Sequence, residues 1–91
     1  SQRKVMLNLN DTSPPALKKL ITFLTYHPLT IYITIAIGQY DLEFEMMEKS
    51  HDEFHSLLKE LKNTFPELIK NYFTVVFYNE PKVGQLALSK S

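Results

Sequence analysis

The chain has 91 residues, and its 10 basic and 10 acidic side chains cancel to a formal net charge of zero at pH 7. This balance disfavours nucleic-acid binding by the chain itself, since contact with phosphates needs an excess of lysine and arginine, and the absence of cysteine excludes disulfides and thiolate metal sites. A chain of this length builds one core, so we expect a single domain, residues 1–91, with its core at about residues 4–80 and a C-terminal tail at 81–91.

The first 28 residues predict a strand followed by a helix. Residues 5–9 alternate between apolar and other side chains, which is the period of a half-buried strand. A capping hydroxyl at Ser13 before Pro14 and Pro15 is typical of a helix start. The helix is indicated by leucine and isoleucine at helical spacing, namely Leu17, Leu20, Ile21 and Leu24. It should end at His27, because the residue before Pro28 is driven out of the α region.

The central part of the chain predicts a β-hairpin. Isoleucines at positions 31, 33, 35 and 37 alternate with smaller or polar residues, and Gly38-Gln39 suits a two-residue type II′ turn. Apolar residues alternate again from Leu42 to Met46, so one register places every apolar side chain on the same face. That register sets Ile37 opposite Tyr40, Ile35 opposite Leu42, Ile33 opposite Phe44 and Ile31 opposite Met46. The other face then carries Thr30, Tyr32, Thr34 and Ala36 opposite Met47, Glu45, Glu43 and Asp41.

A second helix and a last strand follow the hairpin. Ser50 and Glu53 have the spacing of a capping box, and the helix that they begin has an apolar stripe of Phe54, Leu57, Leu58, Leu61 and Phe65. Pro66 ends it. In the last strand we expect Phe73, Val75 and Phe77 to face the core, with Tyr72, Val76 and Tyr78 on the opposite side.

The order of elements is therefore β-α-β-β-α-β, which predicts an α+β, ferredoxin-like fold with a four-stranded antiparallel sheet and two helices on one face. The long hairpin should supply one edge strand and one central strand. The sheet face without helices would expose an apolar patch larger than a monomer usually tolerates, so we expect a homodimer that associates through this face. The predicted interface residues are Met6, Tyr32, Thr34, Tyr72, Val76 and Tyr78.

The chain has few candidates for catalysis or metal binding. His51 and His55 lie one helical turn apart, but no third ligand is evident, so they are better explained as an exposed helix shoulder. An acidic row of Asp41, Glu43 and Glu45, with Glu48 beyond, indicates either a partly hydrated polar interface or a cation or ligand site. No catalytic triad spacing and no glycine-rich phosphate loop is present, and the acidic row would repel RNA. We predict no enzymatic activity, no cofactor and no metal.

The motif order is similar to that of a known family. His27-Pro28, the alternating strand, Gly38-Gln39-Tyr40-Asp41-Leu42, Phe65-Pro66 and Thr74-Val75-Val76 resemble the effector domain of Lrp/AsnC regulators, called the regulation of amino-acid metabolism (RAM) domain, over about residues 5–80. One departure is Pro66-Glu67-Leu68-Ile69, where the family commonly has Pro-Gly-Val. The chain thus resembles a divergent branch of the family.

The resemblance implies a cytoplasmic effector-sensing and dimerisation or oligomerisation domain of a transcription regulator, responding to a small molecule such as an amino acid. Its partners would be a second copy, the effector, and DNA only through an N-terminal helix-turn-helix that these residues do not contain; no membrane is expected. The implied effector-binding residues are Gly38, Gln39, Tyr40, Asp41 and Thr74. Two alternatives remain open: an ACT-like small-molecule or metal-binding regulatory domain attached to an enzyme, and a stand-alone RAM assembly domain.

Overall fold

The computed structural model describes residues 1–35 and 38–77. Six elements follow one another along the chain: β1 (Gln2–Leu9), α1 (Pro14–Thr25), β2 (Thr30–Ile35), β3 (Leu42–Met47), α2 (His51–Thr64) and β4 (Ile69–Phe77). Neither helix in these two ranges is long and apolar enough to cross a membrane.

The four strands form one antiparallel sheet with the order β2-β3-β1-β4. The predicted ferredoxin-like fold is confirmed, and the hairpin supplies an edge strand, β2, and a central strand, β3. Both helices pack on the same side of the sheet, because their buried side chains join a single cluster with those of β1 and β3. That cluster contains Val5, Leu7, Leu9, Leu20, Leu24, Leu42, Phe44, Met46, Phe54, Leu57, Leu58, Leu61 and Leu68.

The helix termini follow the sequence signals only in part. Pro14 begins α1 as expected, but the Ser13 hydroxyl makes no capping hydrogen bond; the Ser13 N–H instead donates to Asp11 Oδ1 at 2.9 Å. Hydrogen bonds from the Ser13 backbone and side chain hold the pKa of Asp11 below its ordinary value. At α2 the predicted capping box is incomplete: Glu53 accepts a hydrogen bond from the Lys49 N–H, whereas Ser50 provides no side-chain cap.

The hairpin register matches the prediction at its centre and differs at one end. Ile33 lies opposite Phe44 and Ile35 opposite Leu42, as predicted. The pairing of Ile31 with Met46 is wrong, because the register shifts between Thr30 and Tyr32 and sets Thr30 opposite Met46. Ala36 and Ile37 lie outside the described residues, so the expected pair of Ile37 and Tyr40 and the predicted turn geometry stay predictions.

The side chains of the last strand that face the helices are the alternate set from the one predicted. Val5 and Leu7 point into the core, and their partners in β4 are Thr74 and Tyr72. Directly opposite residues of an antiparallel pair share a face, so Tyr72, Thr74 and Val76 belong to the core side and Phe73, Val75 and Phe77 to the open side. The Tyr72 ring confirms this, since it packs edge-on against the Phe54 ring of α2 at 5.9 Å.

The physical reason for this error is that both alternating sets of β4 are largely apolar, so the period of two does not say which set faces the helices. A register irregularity where Leu9 and Asn8 meet β4 also changes the alternation near its start. The predicted positions of Tyr72 and Val76 on the open face are therefore wrong. Tyr78 lies outside the described residues.

The turn between α2 and β4 contains a residue other than glycine in the left-handed backbone conformation that glycine usually adopts. Glu67 has φ +62°, a left-handed conformation that costs an L-residue roughly 1–2 kcal/mol. Asn10 holds this turn from the end of β1: its Nδ2 donates to the Glu67 carbonyl at 2.6 Å and its N–H to the Leu68 carbonyl at 2.8 Å. Glu67 stands where the Lrp/AsnC pattern has glycine in Pro-Gly-Val.

Candidate effector turn and open sheet face

The turn from Gly38 to Asp41 lies at the end of the sheet where β1 finishes. Gly38 has φ +129°, a conformation that glycine adopts far more readily than other residues. A Cβ added at this position would meet no atom within 4 Å, so the backbone angle, and not lack of space, accounts for the glycine. Gly38 and Gln39 are exposed, while Tyr40 and Asp41 are half-buried. The turn thus offers a backbone that a ligand can approach closely.

Asp41 joins the turn to β1. Its Oδ2 accepts a hydrogen bond from the Leu9 N–H at 2.8 Å, and its own N–H donates to the Leu7 carbonyl at 2.9 Å. The carboxylate therefore satisfies a backbone donor at the end of β1, beyond the last β1–β3 pair. Asp41 has a structural role in the turn whether or not it also contacts a ligand.

Replacing Asp41 by alanine is expected to lower the free energy of unfolding by about 1–3 kcal/mol, because the Leu9 N–H loses a charged acceptor. D41N is the matched control, since its side-chain oxygen can still accept this hydrogen bond; we expect it to retain most of the stability. Urea denaturation followed by circular dichroism measures both. Equal stability of D41A and the wild type would contradict the structural role.

Tyr40 connects the turn to the open sheet face. Its ring stacks on that of Phe73, with centroids 6.4 Å apart and an interplanar angle of 22°. Phe73 lies opposite Met6, and both point away from the helices. A ligand that moved Tyr40 would therefore disturb an aromatic side chain of the open face.

Thr74, the remaining implied effector residue, is not part of this turn. It lies on the core side of β4 opposite Val5, and its Oγ1 accepts a hydrogen bond from Arg3 Nη1 at 2.9 Å. Asp41 bonds to Leu7 and Leu9 of β1 from the β3 side, whereas Thr74 lies opposite Val5 on the other side of β1. Two strand spacings across the sheet and about three residues along it, roughly 14 Å in all, therefore separate Asp41 from Thr74. The structure brings Gly38, Gln39, Tyr40 and Asp41 together and places Thr74 elsewhere.

Thr74 belongs to a buried ion-pair cluster that the sequence analysis did not identify. Arg3 Nε donates to Glu48 Oε1 at 2.8 Å and Nη2 lies 2.7 Å from the same oxygen, while the guanidinium carbon is 4.4 Å from the centroid of the Phe54 ring. The Arg3 side chain is 10% exposed and that of Glu48 is 2% exposed. Among the described residues, Glu48 Oε2 has no hydrogen-bond partner. One signal was available: Arg3 shares the alternation of the buried residues Val5 and Leu7.

The acidic row has local partners. Lys4 Nζ lies 3.1 Å from Glu43 Oε1, and the Gln2 side-chain amide donates to Glu45. Glu48 is not part of the row, because its side chain points into the core. Within residues 1–35 and 38–77, no three histidine or acidic side chains are grouped to hold a metal ion. Lys4 and Gln2 of β1 thus provide partners for Glu43 and Glu45 within the sheet.

The open sheet face carries apolar and aromatic side chains at both sides of a polar centre. Met6, Tyr32 and Thr34 lie on this face as predicted, because they pair with residues that point away from the core. Among the residues that the structure describes, the exposed large side chains on it are Tyr32, Met47, Phe73 and Phe77. Lys4, Glu43 and Glu45 occupy the centre. We call this surface the open face. Its β4 side chains include Phe73 and Phe77, whereas Tyr72 and Val76 were predicted there.

A cavity of about 390 Å³ lies on the helix side, between the start of α1 and the α2–β4 turn. Its walls include Pro15, Phe65 and Leu68, with Asp11 and Lys19 contributing charged groups. None of the implied effector residues lines it. It is therefore separate from the candidate effector turn.

Comparisons with known proteins show the fold. No protein-family model and no curated protein matches the chain. An AsnC family transcriptional regulator from Agrobacterium tumefaciens is 12% identical, with 90% of this chain and 52% of that chain covered and a TM-score of 0.75. A transcriptional regulator from Neisseria meningitidis, solved in complex with L-Met, is 10% identical over 90% of this chain and 52% of that chain, with a TM-score of 0.70.

A hypothetical protein from Pyrococcus horikoshii is 15% identical, with 88% of this chain and 92% of that chain covered and a TM-score of 0.68. The chain thus spans about half the length of the two regulators and nearly all of the Pyrococcus protein. It shares its fold with one part of AsnC-family transcriptional regulators.

Proposed function

We propose that this chain is the effector-sensing and self-association domain of an Lrp/AsnC-like transcription regulator. The chain has the fold that such regulators contain. The observation that carries the proposal is that this fold combines an open apolar sheet face with the Gly38–Asp41 turn at the end of the sheet. The sheet face would form a homodimer, and the turn would bind the effector. DNA binding would reside in a separate N-terminal domain.

Self-association is supported by the composition of the open face. Tyr32 is 63% exposed and Phe73 is 53% exposed, and Phe77 and Met47 lie on the same surface. Packing two such faces against each other would remove these side chains from water at roughly 25 cal/mol per Å² of apolar area. At the centre of the face, Lys4 and Glu43 carry opposite charges, so each could pair with the oppositely charged residue of the second copy.

Effector binding is supported by the exposed backbone at Gly38 and by the aromatic side chain of Tyr40 beside it. An amino acid is the ligand class that we favour, because the Neisseria regulator with the same fold was solved in complex with L-Met. Backbone amides and carbonyls of the turn would bind its carboxylate and ammonium groups. The Tyr40–Phe73 stack gives the ligand a physical route to the dimer face.

The proposal is tested by two measurements on the wild-type chain. Sedimentation equilibrium should show a dimer, and calorimetric titration with each common amino acid should identify at least one that binds. Y40A should lose this binding, whereas H51A, an exposed change in α2 remote from the turn, should keep it. A monomer at every concentration up to about 1 mM would refute the assembly role, and no binding by any amino acid would refute the proposed ligand class.

A second candidate is a stand-alone assembly domain of the same fold without a DNA-binding half. This candidate is favoured by the Pyrococcus protein, which has the same fold and is of similar length, since the chain covers 92% of it. The coding sequence upstream of Ser1 decides between the two candidates: a helix-turn-helix supports the regulator, and its absence supports the stand-alone domain.

A further inference from the structure

The cavity between the start of α1 and the α2–β4 turn has the size of a small-molecule site. Its volume of about 390 Å³ falls within the range of typical ligand pockets, roughly 300–1,000 Å³. One of its walls is the start of α1, and the other is the end of α2 with the turn that follows. The cavity therefore has room for a ligand of its own.

Hydrogen bonds and prolines fix the two walls of this cavity. Asn10 ties the end of β1 to the turn through its bonds to the carbonyls of Glu67 and Leu68. Pro15 and Pro66 line opposite walls, and the ring of a proline fixes its φ angle. A ligand would have little backbone freedom left to remove here, so the entropic cost of ordering the site is small.

The lining combines apolar side chains with one cation and one anion. Leu68 belongs to the core, and the Phe65 ring packs edge-on against the Phe23 ring with centroids 5.6 Å apart, so both apolar groups are held in place. Lys19 and Asp11 supply the two charges, and both side chains are exposed. Such a lining is complementary to a molecule that is itself apolar and carries both charges.

The two charges of the cavity are held apart from each other. Among the described residues Lys19 forms no ion pair, so its ammonium is not in contact with the Asp11 carboxylate. Lys19 lies six residues beyond Ser13, which precedes α1, or about 9 Å along the helix axis. Helical side chains lean toward the helix N-terminus, which directs Lys19 back along the wall. A ligand that contacts both groups must carry its own charges several ångströms apart.

The start of α1 leaves Lys19 as the main anion-binding group of the cavity. A helix start usually binds anions through free backbone N–H groups. The first two residues of α1 are Pro14 and Pro15, which have no N–H. The Ser13 N–H already donates to Asp11 Oδ1. A carboxylate in this cavity would therefore bind to the Lys19 ammonium.

We propose that this cavity binds an apolar zwitterion of dipeptide size, with its carboxylate on Lys19 and its ammonium on Asp11. A dipeptide spans up to roughly 7 Å between its ends, whereas both charges of a single amino acid are attached to one carbon. Its apolar side chains would lie against Phe65 and Leu68. The site does not depend on the proposed function, because it shares no residue with the Gly38–Asp41 turn or with the open face.

Calorimetric titration of the wild-type chain with leucyl-leucine tests the site, and we expect saturable binding. Glycyl-glycine has the same charges without the apolar side chains, so it should bind at least about tenfold more weakly. Lys19→Ala should weaken the binding of leucyl-leucine at least about fivefold. The matched control is Lys18→Ala, which is equally exposed on α1 but lies outside the cavity, and it should leave the affinity unchanged.

The cavity proposal would be overturned by no saturable binding of leucyl-leucine up to about 10 mM. Equal weakening by K18A and K19A would also overturn it, because only a general effect of charge would then remain. Both substitutions change exposed side chains of α1, so circular dichroism should show that both variants remain folded.

Blocked dipeptides test which end of the ligand meets which charge. Leucyl-leucine amide lacks the carboxylate, so its affinity should be the same for the wild type and K19A. N-acetyl-leucyl-leucine lacks the ammonium, so its affinity should be the same for the wild type and Asp11→Asn. The asparagine keeps an oxygen for the Ser13 N–H, and this variant should stay folded. If K19A and D11N weaken the blocked dipeptides as much as leucyl-leucine itself, the charge assignment is wrong.

Y40A separates this cavity from the candidate effector turn. It should leave the binding of leucyl-leucine unchanged, and K19A should leave the binding of an amino acid at the turn unchanged. Loss of leucyl-leucine binding in Y40A would overturn the cavity site. An absence of amino-acid binding beside normal binding of leucyl-leucine would count only against the proposed function.

Discussion

Replacing Arg3 by methionine is expected to lower the free energy of unfolding by roughly 3–5 kcal/mol. The change would leave Glu48 buried with neither of its two contacts from the guanidinium, and Glu48 Oε2 already lacks a partner among the described residues. It would also remove the hydrogen bond to Thr74 and the contact over the Phe54 ring. Chemical denaturation of the wild type and the variant measures the difference.

The matched control is Lys4→Met, the same change of a cation to methionine at the next residue of β1. Lys4 pairs with Glu43 on the open face, where both side chains are partly exposed, so we expect a loss below about 1 kcal/mol. The double variant R3M/E48L, which removes both buried charges, should recover most of the stability lost in R3M. Similar losses of stability in R3M and K4M would contradict the expectation that the buried ion pair matters more than the exposed one.

Replacing Phe73 by aspartate is expected to raise the dissociation constant of open-face association at least about 30-fold, or about 2 kcal/mol. Phe73 is 53% exposed in the single chain and lies on the open face, so a buried aspartate would face the second sheet in the dimer. The fold itself should tolerate the change. Sedimentation equilibrium of the wild type and F73D measures the difference.

Tyr26→Asp provides the control for this experiment. Tyr26 is 82% exposed at the C-terminal end of α1, in the helix layer, so the same change of an aromatic side chain to aspartate should leave association unchanged. An equal dissociation constant for F73D and the wild type would show that the dimer, if one forms, uses another surface. Equal weakening by F73D and Y26D would indicate a general effect of charge.

The sequence pattern was sufficient for the fold because each element carries a local signal. The isoleucine alternation, the helical spacing of leucines and the prolines at the helix ends all depend on neighbouring residues, and the six elements occur in the predicted order. The hairpin register was also predictable at Ile33 and Ile35, because one strand face is apolar and the other is polar. At Thr30 the prediction was wrong, since a bulge leaves no mark in the alternation.

The candidate site was predicted less completely. Gly38 and Asp41 are recognisable in the sequence because a turn needs special residues, and the structure keeps Gly38 to Asp41 together. Thr74 was carried over from a family pattern, and its position depends on the register of β4 against β1. That register depends on contacts between residues about 70 positions apart, for which no local pattern exists.

The sequence by itself determined the elements, their order and the apolar face of the central hairpin, because those properties arise from side-chain periodicity and turn chemistry. Only the tertiary structure decided which face of β4 meets the helices, because both of its faces are largely apolar and Tyr72 reaches Phe54 only when the sheet and α2 are packed together. It also decided that Arg3 and Glu48 are buried together, since a charged residue enters a core only where its partner arrives from another element.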